Sequence, residues 1–195
     1  MGLIRALLVP LELFNTWALA LGRWLALLAL GIMVVVILAQ VWFRYVLNNA
    51  LPWPDEAARF LMLWMTGLAA PSGLRRGGFV AIDMITEALP RKLADTVILV
   101  LLFMSMSVLA MGVQLGHTHV NSGWLFASSS LRVPLDLIGG EVVKVKLAWM
   151  YMSVFLGMIL LALVNIELIL RRILILAGRG DELSPLVPAD LPEAE

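Results

Sequence analysis

Long apolar runs broken by short polar clusters set the pattern of this chain. Trp24 to Phe43 carries no charge, and Gln40 is its most polar member. Ala57 to Leu74 is shorter and holds Arg59 near one end. Thr96 to Gly116 and Leu147 to Ile166 are both charge-free, marked only by Ser105, Ser107, Gln114 and Asn165 among their more polar members. A helix needs about 20 apolar residues to cross the hydrocarbon core, and each run meets that length or comes near it. Strands of a transmembrane barrel would alternate polar and apolar residues, and these runs do not. The pattern predicts an all-α integral membrane protein with four transmembrane helices.

Ahead of the first run, Arg5, Glu12, Thr16 and Arg23 follow one another at intervals of 7, 4 and 7. That spacing places them on one helical face. Residues 1–23 are therefore expected to form an interfacial amphipathic helix with a kink at Pro10. A cleaved signal peptide is the competing reading, with Arg5 as its charged start and Ala18-Leu19-Ala20 as its cleavage site, but Glu12 interrupts the apolar region. Residues 24–177 then make the four-helix domain. Residues 178–195, with Pro185, Pro188, Pro192 and five acidic residues, read as a disordered acidic tail.

Composition sharpens the class. Of 195 residues, 62% are hydrophobic and only 14% charged, whereas soluble domains are typically about 25% charged. The net charge of zero gives no reason to expect a nucleic-acid partner. The absence of cysteine removes disulfides and thiolate chemistry. Lysine and arginine bias sets the orientation. Both tails and the connection between spans two and three hold nine of the fourteen cations; the other side holds Arg44, Arg59, Arg132, Lys144 and Lys146. Both termini are expected in the cytoplasm.

Three constellations could carry function. Between the first two spans, Arg44 is followed by Pro52-Trp53-Pro54-Asp55-Glu56 and Arg59. Proline and acids there form a helix-start signature, and either acid can pair with Arg59 on one face. The plain reading is a charged boundary with Trp42, Tyr45 and Trp53 as an aromatic belt; the sharper one is a cluster that docks another protein. On the other side, Arg75-Arg76-Gly77-Gly78 marks topology and a tight turn, Asp83 follows, and residues 80–89 read as a short amphipathic helix. His117 and His119, the only histidines, lie two residues apart and cannot ligate one haem from facing helices. No metal or cofactor site, and no nucleophile-base-acid arrangement, stands out. Ser128 to Ser130 read as a polar loop, and the spans hold no carboxylate at mid-depth.

Phe43-Arg44-Tyr45-Val46, Leu51-Pro52-Trp53, Glu56, Arg59, Arg75-Arg76-Gly77-Gly78, Asp83 and Leu89-Pro90 resemble the small, DctQ-type membrane subunit of tripartite ATP-independent periplasmic (TRAP) transporters. The four-span layout extends the resemblance along the chain, with its specific part between residues 43 and 92. Pro54 stands where the family often has serine or threonine, which bears on the local helix cap. The resemblance implies a non-enzymatic scaffold in a bacterial inner membrane, partnered by a large membrane subunit and a periplasmic binding protein. It also implies ion-gradient-driven, commonly sodium-driven, uptake of organic acids, with the large subunit working as an elevator. Arg44, Trp53, Asp55, Glu56, Arg59, Arg75, Arg76 and Asp83 are the candidates for subunit contact or structural support. A membrane anchor of an oxidoreductase is the alternative, and a homo-oligomeric channel a third reading.

Overall fold

The computed structural model describes residues 2–77, 90–133, 143–180 and 183. Four helices dominate: α1 (Gly2–Tyr45), α2 (Pro54–Arg75), α3 (Arg91–Gly123) and α4 (Ala148–Leu176). A two-stranded antiparallel hairpin, β1 (Ala127–Val133) and β2 (Val143–Lys146), joins α3 to α4. Asp83, the expected helix over 80–89 and nearly all of the expected tail lie outside the described residues.

Helix α1 is one element where the sequence suggests two. Its 44 residues correspond to about 66 Å of helix, well beyond the ~30 Å hydrocarbon core. Pro10 lies inside it and does not end it. Arg23 does not break it either, because the flanking Ala18-Leu19-Ala20 and Leu25-Ala26-Leu27-Leu28 are strong helix formers. Among the described residues, three helices are long and apolar enough to cross a membrane: α1, α3 and α4. Helix α2 falls outside that group, with Arg59, Thr66, Pro71, Ser72 and Arg75 within its 22 residues.

The helices pack in a row. α1 lies against α2, α2 against α4, and α4 against α3, with α1 also touching α4. From Asn15 onward the buried positions along α1 are Asn15, Leu19, Gly22, Ala26 and Ala29, spaced 4, 3, 4 and 3, with the buried Leu8 seven residues before Asn15. A 3.5-residue repeat keeps one seam on a neighbour and favours left-handed crossing. The seam residues are mostly small, and Ala26, Leu68 and Leu160 form the buried apolar cluster between α1, α2 and α4.

Two glycines set the α2–α4 crossing. A Cβ on Gly157 would stand 2.8 Å from the Gly67 Cα and carbonyl oxygen, and one on Gly67 would strike the Ser153 carbonyl. The two backbones therefore touch, the kind of close approach that small residues permit between membrane helices. The outer helices α1 and α3 are left with broad apolar faces, including Trp17, Trp24, Val35 and Trp42 on one and Val108 and Met111 on the other.

Gly67→Ala is expected to force α2 and α4 apart and cost about 1–3 kcal/mol. Gly31→Ala on α1, with nothing within 4 Å, should be neutral or stabilising by about 0.5–1 kcal/mol. Thermal unfolding in detergent would compare them; equal losses would show that the crossing does not depend on contact between backbones.

Candidate functional site

Two polar constellations hold the helices, one near each end of their length. At the end where α2 finishes and α3 begins, four charged side chains from three helices meet. Glu167 on α4 is fully buried. Its Oε1 accepts from Arg75 Nη2 at 2.8 Å and Nε at 3.1 Å, and lies 3.4 Å from Arg171 Nε. Its Oε2 accepts from Asn15 Nδ2 on α1 at 2.7 Å. Arg171 in turn donates through Nη2 to the Glu12 carboxylate.

Arg75 reaches further into α1. Its Nη1 donates to Thr16 Oγ1 at 2.9 Å, and its Nη2 approaches the Glu12 carbonyl at 3.4 Å. Two carboxylates and two guanidiniums cancel, which is how buried charge is tolerated at all. Each residue sits where its helix must deliver it. Arg75 is the last residue of α2. Glu167 and Arg171 are one turn apart on α4, as are Glu12 and Thr16 on α1, so each pair shares a face.

The same end also secures α3. Arg172 Nη1 donates to Asp95 Oδ1 at 2.5 Å. Deeper along the helices, the fully buried Asn165 donates to the Leu102 carbonyl at 3.0 Å and accepts from Ser105 Oγ at 3.2 Å.

The opposite end is held by two acids and their neutral partners. Glu56, in the first turn of α2, accepts from the Ser130 N–H at 2.9 Å, from the Ser130 hydroxyl, and from Ser129 Oγ at 3.3 Å. Its partial burial opposes the charge. The Ser130 and Ser128 hydroxyls and the Ser130 and Leu131 amides outweigh that, and its pKa falls to about 2. Asp55 accepts from Gln40 Nε2 on α1 at 2.9 Å. Helix α2 begins with Trp53 as its N-cap and no side-chain cap bond, with buried Pro54 at its start. Asn48, in the preceding turn, takes a left-handed φ of 49°, which asparagine tolerates.

The sequence candidates are thus redistributed. The expected pairing of Glu56 or Asp55 with Arg59 does not form: Glu56 turns to β1 and Asp55 to α1. Arg59 is exposed, and Arg44 stacks over the Tyr45 ring at 5.8 Å. Neither makes an ion pair among the described residues. Ser128 to Ser130 are strand residues, not a loop, because β1 pairs with β2 across them, and Ser129 and Ser130 also donate to Glu56. Trp53 is partly exposed, and Arg76 follows the end of α2. His117 and His119 are exposed and lie beside the rings of Phe155 and Tyr151 on α4.

Arg75, read from sequence as a topology mark, is instead buried at 9% exposure. The buried partners Asn15, Glu167 and Arg171 were not anticipated as a site. The fourth apolar run stops at Ile166, one residue short of Glu167. The usable signal was the Glu167–Arg171 spacing together with Glu12-x-x-Asn15-Thr16 and the terminal Arg75.

Two measurements follow. Arg75→Ala leaves Glu167 buried with half its cationic support and is expected to cost about 3–5 kcal/mol, while Arg59→Ala should stay within about 0.5 kcal/mol; thermal unfolding of the purified variants reads the contrast. The Glu56 carboxylate has a lower pKa folded than unfolded, so its contribution is complete above the ordinary value near about 4.3 and is lost as pH falls toward about 2. The hydrogen-exchange protection of the Ser130 amide should therefore decline across that window. In Glu56→Gln it should start lower and lose this dependence.

A family model described as "Tripartite ATP-independent periplasmic transporters, DctQ component" matches residues 33–174. The match takes in the last part of α1, α2, α3, the hairpin and all but the last two residues of α4, and with them Glu56, Arg75, Glu167 and Arg171. A search of curated proteins found no match. Since the matched region spans well over half of the 195 residues, the chain belongs to the DctQ component family of tripartite ATP-independent periplasmic transporters.

Proposed function

We propose that this chain is the fixed small membrane subunit of a TRAP transporter, without enzymatic activity of its own. It braces a large, elevator-type membrane subunit during ion-gradient-driven uptake of organic acids delivered by a periplasmic binding protein. Sodium is the coupling ion in this reading. The family match carries the class, and the packing supports the role. The charge network at the Arg75 end is neutralised within the chain and ties α1, α2 and α4 together, which suits a part that holds still rather than one that moves solute.

All four helices cross the bacterial inner membrane in this reading, with both termini in the cytoplasm. Helix α2 spans although it is the least apolar of them. Its 22 residues make about 33 Å of helix, and two of its less apolar positions face neighbours: Gly67 meets α4, and Arg75 meets α4 and α1. The first turns of α1 run past the Glu12–Arg171 contact and lie at the inner membrane interface. The exposed apolar faces of α1 and α3 are shared between lipid and the large subunit. The oxidoreductase-anchor reading gains nothing from the family match.

Uptake assays decide the matter. The large subunit and binding protein, expressed with and without this chain, are expected to accumulate labelled substrate only when it is present. Undiminished uptake in its absence would overturn the scaffold role. Arg75→Ala should lower both uptake and the amount of large subunit that co-purifies.

A further inference from the structure

We propose that the β1–β2 hairpin and the hollow beside it form a seat for the headgroup of an anionic phospholipid. The strand register sets Arg132 directly against Lys144. Like charges opposite one another on a hairpin repel, and both side chains are exposed. Lys146 lies two residues beyond Lys144 and so shares its face. No carboxylate among the described residues pairs with any of the three. Among the described residues, Glu56 is already engaged by the β1 serines and Asp55 by Gln40. Arg44 and Arg59 add exposed cations at the same end of the helices. The two strands therefore present three cations that no carboxylate among the described residues neutralises.

Beside Arg132 lies a hollow of ≈ 860 Å³, bounded by Pro52, Trp53, Ser129, Ser130 and Leu131. Its walls join an indole, a proline ring and a leucine to one guanidinium, while the Ser129 and Ser130 hydroxyls there donate to Glu56. A phosphate with the glycerol and first methylenes of its chains has that same order of chemistry. The choice of a lipid over an acidic protein comes from the base of the hairpin. Leu125 and Phe126 immediately precede β1 and are 80% and 59% exposed. Trp124 and Trp149 meet edge-on at 6.0 Å across the ends of α3 and α4. Exposed aliphatic and aromatic groups at the foot of a basic hairpin fit the boundary between headgroups and hydrocarbon; an aqueous docking face for a soluble protein would leave them in water.

Native mass spectrometry of the full chain, delipidated in detergent and supplied with phosphatidylglycerol or phosphatidylcholine, tests this. Wild type should retain phosphatidylglycerol preferentially, with a preference that weakens as salt rises. Each basic side chain near an anionic lipid surface contributes roughly fivefold in affinity. The double variant Arg132→Gln, Lys144→Gln should therefore reduce phosphatidylglycerol binding by roughly twentyfold or more, while Arg132→Lys, Lys144→Arg should keep most of it. Both positions are exposed, and unchanged thermal unfolding of the variants would confirm that the fold is intact. Equal retention of the two lipids, or an undiminished preference in the Gln variant, would overturn the proposal. So would competition by glycerol phosphate as effective as that by the lipid, which would mark a free-anion site. If the same two cations were instead required only for cross-linking to a soluble acidic protein, the face would be a protein dock and the lipid assignment would fail.

Discussion

The Glu167 carboxylate is the point on which the arrangement of the helices turns. A buried carboxylate without partners would be strongly disfavoured in a low-dielectric surround. Here it is satisfied only if α2 delivers Arg75 and α1 delivers Asn15 to the same level. Sliding one helix by a single residue moves its side chains by about 1.5 Å along the axis and about 100° around it. Either displacement takes Arg75 or Asn15 out of reach. The quartet of Glu12, Arg75, Glu167 and Arg171 therefore fixes the axial register of three helices at once.

Other features follow from that register. With α2 and α4 held at one level, Gly67 and Gly157 come opposite each other and the backbones can touch. With α1 held by Glu12 and Asn15, its small-residue seam meets α2 along the helix, and Gln40 arrives beside Asp55 near the far end. The far end is fastened differently. Glu56 there holds a strand of the hairpin through hydroxyls and amides rather than through cations. That fastening ties α2 to the α3–α4 connection, so the hairpin is held to the helices and is not an appendage.

Much of the fold could be read from the sequence, because long charge-free runs have few alternatives to membrane helices. The family resemblance was legible as well, in the residues from Phe43 to Pro90, and the match over 33–174 agrees with it. What could not be read was which polar residues face inward. Glu12 and Thr16 shared a face with Arg5 and Arg23, and an amphipathic face is conventionally turned to water. In the structure Glu12 meets Arg171 and Thr16 meets Arg75. Nothing local to residues 12–16 announces a partner more than a hundred and fifty positions away. The Glu56–Arg59 spacing erred in the opposite sense. It satisfied the helical pairing rule, yet backbone and hydroxyl donors from β1 offered Glu56 a closer set of hydrogen bonds.

Why register should be set by charge has a physical reason specific to this setting. In water, an apolar core would suffice, and replacing a buried ion pair by well-packed hydrophobic groups is often neutral or stabilising. Between membrane helices that substitution loses its driving force, since lipid tails are as apolar as leucine. Apolar contact then tolerates sliding and rotation. A neutral quartet does not, because every displaced member leaves another charge unsatisfied. In the scaffold role proposed above, a brace for a moving partner would need resistance to shear more than bulk stability. Four mutually dependent charges, closed on themselves within three helices, supply that resistance without leaving a net charge for the bilayer to oppose.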